Sequence, residues 1–403
     1  MNIESILIVG GGLAGFTVAQ NLRVRGYAGT LQIIDPAGIP YDRPPLSKGY
    51  LLGDKDAAGI ELAPASWFAE HRVELLPGTV RALELEPLGV ELEDGRTLHA
   101  DRLVLATGGS ARPLPIPGGD LDSVLVLRDR ADADRLRAKI VPGTRLVIVG
   151  AGLIGAEVAS SARQLGAEVT LVDPMDPPLV PAVGPELARR LHAMHADAGI
   201  TVIHGAPVGI ARTADGHRLE LADGRVVECD EVLVGIGIIP NTELAQAAGL
   251  ETDNGVLVDE NQRTSHPSVF AVGDMARTRR PDGTLLRRGE HWEYAMNTGA
   301  TAAAAILEQD LPVHGASWFW SDRHGTHVEG VGDMNAEGTT ILRINEGEPV
   351  AAFRIAADGR MLGAAAIDGG LTIKAARRII DKGIIVQAAA LADPGIQLKK
   401  LAR

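Results

Sequence analysis

Apolar residues run unbroken through positions 6–9, give way to a turn holding Gly10, Gly12 and Gly15, and resume on one helical face as far as Arg25. Gly26 stops that repeat, and a second strand-like run, largely apolar, at 31–34 ends at Asp35. A short continuous apolar run predicts a strand buried on both faces, and the 3.6-residue repeat predicts an amphipathic helix. The same order returns further along. Residues 146–149 lead into Gly150, Gly152 and Gly155, a helical repeat reaches Leu165, Gly166 stops it, and residues 169–172 end at Asp173.

Each copy has a matching downstream partner. Glu93-Asp94-Gly95-Arg96 is a hairpin signal before an apolar run at 103–105 that breaks at Ala106-Thr107-Gly108-Gly109. Ala222-Asp223-Gly224-Arg225 likewise precedes 232–234 and Gly235-Ile236-Gly237. Pro113, Pro115 and Pro117 with Gly118-Gly119 mark a linker. Past Asn241, runs at 256–258 and 269–272 lead to Gly273-Asp274 and then to an alanine-rich helix expected from about Asn297 to Leu307. That stretch has no glycine turn of its own, so it is expected to complete the first domain. From about Trp320 the signals become antiparallel, with strand signals at 353–355 and 361–367 around an Asp358-Gly359 turn, then a basic helix. The expected architecture is α/β, with two interleaved Rossmann-like dinucleotide-binding domains and a C-terminal α+β domain. Its expected boundaries are 1–113 with 241–319, then 114–240, then 320–403.

Composition removes several function classes. The chain has 403 residues, 45% apolar and 23% charged, as expected of a folded protein of two or three domains. Its 39 basic and 52 acidic side chains give a net charge of −13. That balance argues against a nucleic-acid partner, because such affinity depends on Lys and Arg releasing counterions. Cys229 is the only cysteine, which excludes an internal disulfide, a CxxC pair and a cysteine-ligated cluster, and suggests a reducing, cytoplasmic compartment. Any iron–sulfur chemistry must then belong to a partner. The longest low-polarity run, 6–19, falls short of the ~20 residues of a membrane span, is interrupted by glycines, and lacks the frame of a signal peptide. No membrane partner is expected. His192 and His195 lie three apart on a helix without an evident third ligand, and with His291, His324 and His327 they suggest no metal site.

A strand that turns directly into a helix can present backbone N–H groups to a diphosphate at the positive end of the helix dipole. Gly10 and Gly150 would allow the tight turn, Gly12 and Gly152 the approach of phosphate, and Gly15 and Gly155 close packing of helix on strand. Leu13, Ala14 and Ile154 open those helices. Asp35 and Asp173 stand where a carboxylate accepts hydrogen bonds from ribose hydroxyls; the competing reading is a turn aspartate before Pro36 or Pro174. A 2′-phosphate would meet Asp173 and Asp176 with no Arg or Lys before Arg189, which favours NADH over NADPH. Two such sites imply two cofactors, a held flavin dinucleotide and an exchanging nicotinamide dinucleotide.

With these pieces in place, the chain resembles the NADH-dependent ferredoxin reductases of oxygenase systems, within the FAD-dependent pyridine nucleotide-disulfide oxidoreductases. The resemblance runs essentially end to end. Its most specific stretches are PYDRPPLSKGYL at 40–51 and WFWSD at 318–322, supported by ATGGSARPLPIPG, VGAGLIGAEVA, VGIGIIPNTELA, VFAVGDMA and GEHWEYAMNTG. It implies that Arg43, Pro45 and Lys48 lie along the flavin, that Glu157 pairs with Lys48 beside the incoming nicotinamide, and that Trp320 is close to the flavin. It also implies Thr107, Gly108, Arg128, Asp274 and Trp292 around FAD, and Gly235, Ile236 and Glu290 near the nicotinamide nucleotide. Val80, Gly237 and Gly273 complete the cofactor-binding set. Two departures stand out: Arg323 follows WSD where the family often has glutamine, and Thr298 stands where a polar amide is common.

The activity implied is electron transfer from NADH through FAD to a [2Fe–2S] ferredoxin that feeds a monooxygenase or dioxygenase, by a monomer or homodimer. A rubredoxin reductase differs mainly in its acceptor. NADH oxidases, peroxidases and CoA-disulfide reductases need a redox cysteine that residues 41–48 lack, and a flavoprotein like apoptosis-inducing factor would call for a basic nucleic-acid-binding surface and a targeting sequence. Charge is unevenly spread, with a net +1 from Ser321 onward and −14 before it. Lys374, Arg377, Arg378, Lys382, Lys399, Lys400 and Arg403 oppose only Asp381 and Asp393 near the C-terminus. Arg277, Arg279, Arg280, Arg287 and Arg288 form a second cluster. Both are candidates for steering an acidic ferredoxin.

Overall fold

The computed structural model describes residues 3–402. They form two compact units. One takes the residues up to Pro44, Lys55–Ser110 and Ile238–His314; the other takes Pro45–Asp54, Ala111–Gly237 and the residues from Gly315 onward.

The first unit is built on a parallel sheet in the order Val269–Ala271, Arg102–Leu105, Ser5–Val9, Thr30–Ile34 and Val73–Leu76. Ile6, Leu7 and Ile8 on its central strand are fully buried, which is why that strand reads as a continuous apolar run rather than an alternating one. Helix Leu13–Val24 packs against helix Trp292–Ile306 through small residues, and a Cβ on Gly299 would come 2.8 Å from the Ala14 carbonyl. The second of these helices starts at Trp292, earlier than its alanine content suggests, because His291 caps it by accepting from the Tyr294 N–H. Imidazole is an unusual cap, so the boundary carries no ordinary N-cap signal. A three-stranded antiparallel sheet, Val80–Leu85, Leu88–Leu92 and Thr97–His99, completes the hairpin region.

The second unit repeats the plan. Its parallel sheet runs Thr201–His204, Glu168–Asp173, Arg145–Val149 and Glu231–Val234, beside an antiparallel sheet of Pro207–Thr213, Gly216–Leu221 and Val226–Cys229. In both units the last residue of the central strand, Val9 or Val149, pairs on one side with the strand that leads to Asp35 or ends at Asp173 and on the other with the strand that runs into a glycine-rich break. This register brings each glycine turn to the carboxyl end of its sheet, where open α/β sheets bind ligands. The same unit holds a five-stranded antiparallel sheet in the order Trp318–Arg323, Thr326–Gly332, Met361–Ile367, Glu348–Ile355 and Thr339–Asn345, backed by helix Gly370–Asp381.

Candidate active site

The two glycine turns are built alike. Gly10 and Gly150 adopt φ of +106° and +104°, and a side chain on either would strike a neighbouring carbonyl, Ala106 at 2.3 Å or Gly235 at 2.5 Å. A Cβ on Gly15 or Gly155 would fall 2.0 or 1.9 Å from the carbonyl oxygen of Gly10 or Gly150. Gly12 and Gly152 are different. They are the N-caps of Leu13–Val24 and Leu153–Gln164, no side chain caps either helix, and a Cβ there would meet nothing within 4 Å. First-turn N–H groups, including those of Leu13, Ala14 and Ile154, have no intrahelical acceptor. The result is two cradles of backbone donors with space in front of them, which fit the diphosphates of FAD and NADH.

Asp35 and Asp173 also correspond. Asp35 accepts from Gly11 N at 2.7 Å and Ala37 N at 2.8 Å. Asp173 accepts from Ala151 N at 2.7 Å and Met175 N at 2.8 Å. Each carboxylate therefore pins its own glycine turn, and each oxygen keeps a further lone pair for a ribose hydroxyl.

In the first unit, Thr107 and Gly108 are held by Asn241, which the sequence marked only as a boundary. Thr107 Oγ1 donates to the Asn241 carbonyl at 3.0 Å, and Asn241 Nδ2 donates back to the Thr107 carbonyl at 2.9 Å. Gly273, at φ +72°, donates to Thr298 Oγ1 at 2.9 Å, and its Cβ position lies 2.8 Å from that of Ala14. Thr298 thus ties the Gly273-Asp274 loop to the helix carrying it, close to the first glycine turn. The Asp274 carbonyl accepts from Arg288, which also pairs with Glu290 at 2.7 Å. Trp292 Nε1 donates to Asp42 at 3.0 Å beside Arg43, and Val80 opens its strand.

In the second unit, Arg128 N donates to Asp132 at 2.9 Å in the cap of helix Arg130–Lys139. Gly235 bonds Val149, Ile236 lies against Gly150, and Gly237 takes φ +100°. The chemistry concentrates at Glu157, one turn into its helix and only 4% exposed. Its Oε1 lies 3.2 Å from Lys48 Nζ and accepts from Ser321 Oγ at 2.6 Å, and its Oε2 accepts from Ser47 Oγ at 2.6 Å. Lys48 follows Pro45 on the short turn before helix Gly49–Leu52. Its ammonium also reaches Asp322 at 3.0 Å and lies 5.7 Å from the Trp320 ring centroid. Trp320 stacks on Trp318 at 4.9 Å, and Trp318 Nε1 donates to Glu329 at 2.9 Å.

Burial opposes ionisation of Asp322, yet hydrogen bonds from His327 and Lys48 outweigh it and hold the carboxyl below its usual range. Ser47, Ser321, Asp322 and Arg323 were not chosen as site residues from the sequence. The signal available was polar Ser and Arg at alternate positions of a strand, which burial alone turns into a network. Cys229 is buried, and that burial pushes its thiol up to about 12, unlike a redox cysteine. Among the described residues no His, Cys, Asp and Glu cluster could hold a metal ion, and no helix is long and apolar enough to cross a membrane.

The two basic clusters differ. Arg277, Arg279 and Arg288 pair with Asp253, Glu251 and Glu290. Lys374, Arg378 and Lys382 are exposed at four-residue spacing with exposed Leu371, forming one stripe. Lys399 and Lys400 are exposed too, and Arg403 lies outside the described residues.

Paired glycine cradles on two parallel sheets mark a dinucleotide-binding protein. Residues 4–299 match the family described as pyridine nucleotide-disulphide oxidoreductase, and residues 318–402 match the reductase C-terminal family. The chain is 38% identical to the anthranilate 1,2-dioxygenase system ferredoxin–NAD(+) reductase component of Burkholderia cepacia, over 99% of each chain. It is 34% identical to rhodocoxin reductase of Rhodococcus erythropolis, over 98% of this chain and 93% of the relative. Putidaredoxin reductase, solved in a covalent complex with putidaredoxin, superposes with a TM-score of 0.92 at 33% identity, covering 99% of this chain and 98% of that one. The chain belongs to the pyridine nucleotide-disulphide oxidoreductase family, in its branch of oxygenase-system ferredoxin reductases.

Proposed function

We propose that the chain transfers electrons from NADH through FAD to a [2Fe–2S] ferredoxin that supplies a monooxygenase or dioxygenase in the cytoplasm. The observation that carries this reading is the buried Glu157 network joined to Lys48 and Trp320, one turn from an uncapped glycine cradle. Residues 1–113 with 241–319 would hold FAD, 114–240 would hold NADH, and 320–403 would form a C-terminal domain. When bound, FAD supplies the change from a two-electron donor to a one-electron acceptor.

The chain's own residues bind and orient. The Gly12 and Gly152 turns hold the diphosphates, and Asp35 and Asp173 hold riboses while keeping those turns in shape. Lys48 would supply a cation able to stabilise a reduced flavin, and Glu157, which orients Lys48, would accept from the nicotinamide amide. Trp320 covers the Lys48 ammonium with an aromatic face. The Leu371, Lys374, Arg378 and Lys382 stripe suits an acidic protein partner. The absence of a reactive thiol supports electron transfer over disulfide chemistry.

NADH-driven cytochrome c reduction is the test, run alone, with candidate [2Fe–2S] ferredoxins and with a rubredoxin. Strong acceleration by a [2Fe–2S] protein is the expected result. Acceleration by rubredoxin alone would reassign the acceptor, and no acceleration by either would refute the reading.

A further inference from the structure

Glu157 and Asp322 offer two carboxylates to one ammonium, and Lys48 Nζ lies 3.2 Å from the first and 3.0 Å from the second. Because Glu157 is 4% exposed, an ammonium that moved wholly to Asp322 would leave a buried anion behind unless another cation compensated. Arg323 is that cation. It is 3% exposed, its Nη2 donates to Ser321 Oγ at 2.9 Å, and Ser321 Oγ donates to Glu157 Oε1 at 2.6 Å. Its Nε is buried without a hydrogen-bond partner. An arginine serving only its own packing would satisfy its donors, whereas this one gives a hydrogen bond to the hydroxyl facing Glu157 and leaves another donor orphaned.

Burial pushes the Arg323 guanidinium down to about 10, with Glu157 and Asp322 opposing the shift, so it stays charged at neutral pH. Three nearby imidazoles are held toward their neutral forms. Burial lowers His192, His195 and His324, and the Arg323 charge pushes each further down, while Asp173 and Asp176 act on His192 in the opposite sense. From the adjacent strand, His327 Nδ1 lies 2.5 Å from Asp322 and His327 Nε2 3.7 Å from Glu329.

On the reading that NADH enters here, we propose that Arg323 is a positioning residue. Through Ser321 it supplies a standing positive charge that holds the buried Glu157 carboxylate in place, which frees Lys48 to shift toward Asp322 as the nicotinamide amide arrives. Removing a nearby cation favours the uncharged form of a carboxyl, so its loss should show on the acid side.

Arg323→Gln, Arg323→Lys and Ser321→Ala are compared with the wild type in the flavin-loaded protein, by infrared spectroscopy without turnover and by the pH profile of reduction with NADH. As the pH is lowered, the protonated-carboxyl band of Arg323→Gln should appear at higher pH than in the wild type and should disappear when Glu157→Gln is added. The acid limb of the pH profile should move up by about one unit, a tenfold change in the active fraction below it. Arg323→Lys should recover most of both. An unchanged band and profile in Arg323→Gln overturn the assignment, whatever happens to thermal stability. Ser321→Ala keeps the guanidinium and removes only the hydroxyl that carries its hydrogen bond to Glu157, so it should move band and profile in the same direction but less, and an unchanged band and profile there remove the link through Ser321 and with it the assignment should Arg323→Gln fold poorly. If NADH fails to reduce the wild type, the functional reading fails, while the infrared comparison still decides the role of Arg323.

Discussion

Gly152→Ala and Gly155→Ala add the same methyl group three residues apart, yet they should fail in opposite ways. At Gly155 the new Cβ would lie 1.9 Å from the Gly150 carbonyl oxygen, where real Cβ contacts essentially never fall below 3.0 Å. Helix and strand end must therefore part by more than 1.1 Å. Forced overpacking of this kind costs ~1–3 kcal/mol, which lowers Tm by roughly 3–10 °C in a unit of this size. At Gly152 the backbone has φ −67° and ψ −165°, which alanine adopts without strain, and the Cβ meets nothing within 4 Å. The gain of ~0.4–1 kcal/mol from a less flexible unfolded chain offsets a similar loss from alanine at an N-cap, so stability should stay within ~0.5 kcal/mol of wild type. The methyl instead occupies the space a diphosphate needs, and losing one or two backbone contacts should weaken NADH binding by about ten- to a hundredfold. Thermal unfolding, flavin absorbance and rapid-mixing NADH titration separate these effects. FAD occupancy should be normal in Gly152→Ala, and wild-type NADH affinity there would show that the diphosphate does not use this turn. A Gly155→Ala protein as stable as wild type would refute the packing argument.

Asp173→Ala should weaken NADH binding and narrow its lead over NADPH; an unchanged preference ratio would rule out ribose recognition, even if the turn loosens. Replacing Lys374, Arg378 and Lys382 with glutamine should slow ferredoxin association by about tenfold at low salt and little at high salt, and salt-independent rates would remove the docking role. Burial holds the His195 imidazole down to about 3, with Arg323, His324 and His192 pushing the same way, whereas the unfolded chain returns it to its ordinary value of 6.5. The neutral buried form therefore contributes stability that is complete above about 6.5 and lost as pH falls toward about 3, by up to ~1.4 kcal/mol per unit. The urea midpoint should fall more between pH 7 and pH 5 in wild type than in His195→Leu, and equal falls would exclude His195 as the source.

The glycine turns were legible in the sequence because their chemistry is local. A strand, a turn needing positive φ at Gly10 or Gly150, a helix and a terminal aspartate lie within one stretch of chain, and backbone sterics dictate the order. The start of helix Trp292–Ile306 was less legible, since its cap is the His291 ring rather than a residue whose side chain commonly signals one.

Glu157 shows what sequence could not decide. Its hydrogen-bond donors Ser47 and Ser321 stand 110 and 164 positions away, and nothing in a hydroxyl's local pattern says which carboxylate it will meet. Arg323 stood out only as a departure on a strand; its charge acquired a role because folding buried it beside Ser321. Apolar periodicity and glycine sterics, acting over a few neighbouring residues, determined the two dinucleotide turns and the order of elements. Tertiary structure alone decided which polar groups share a dry interior, because the cost of burying a charge is settled by partners brought from distant parts of the chain.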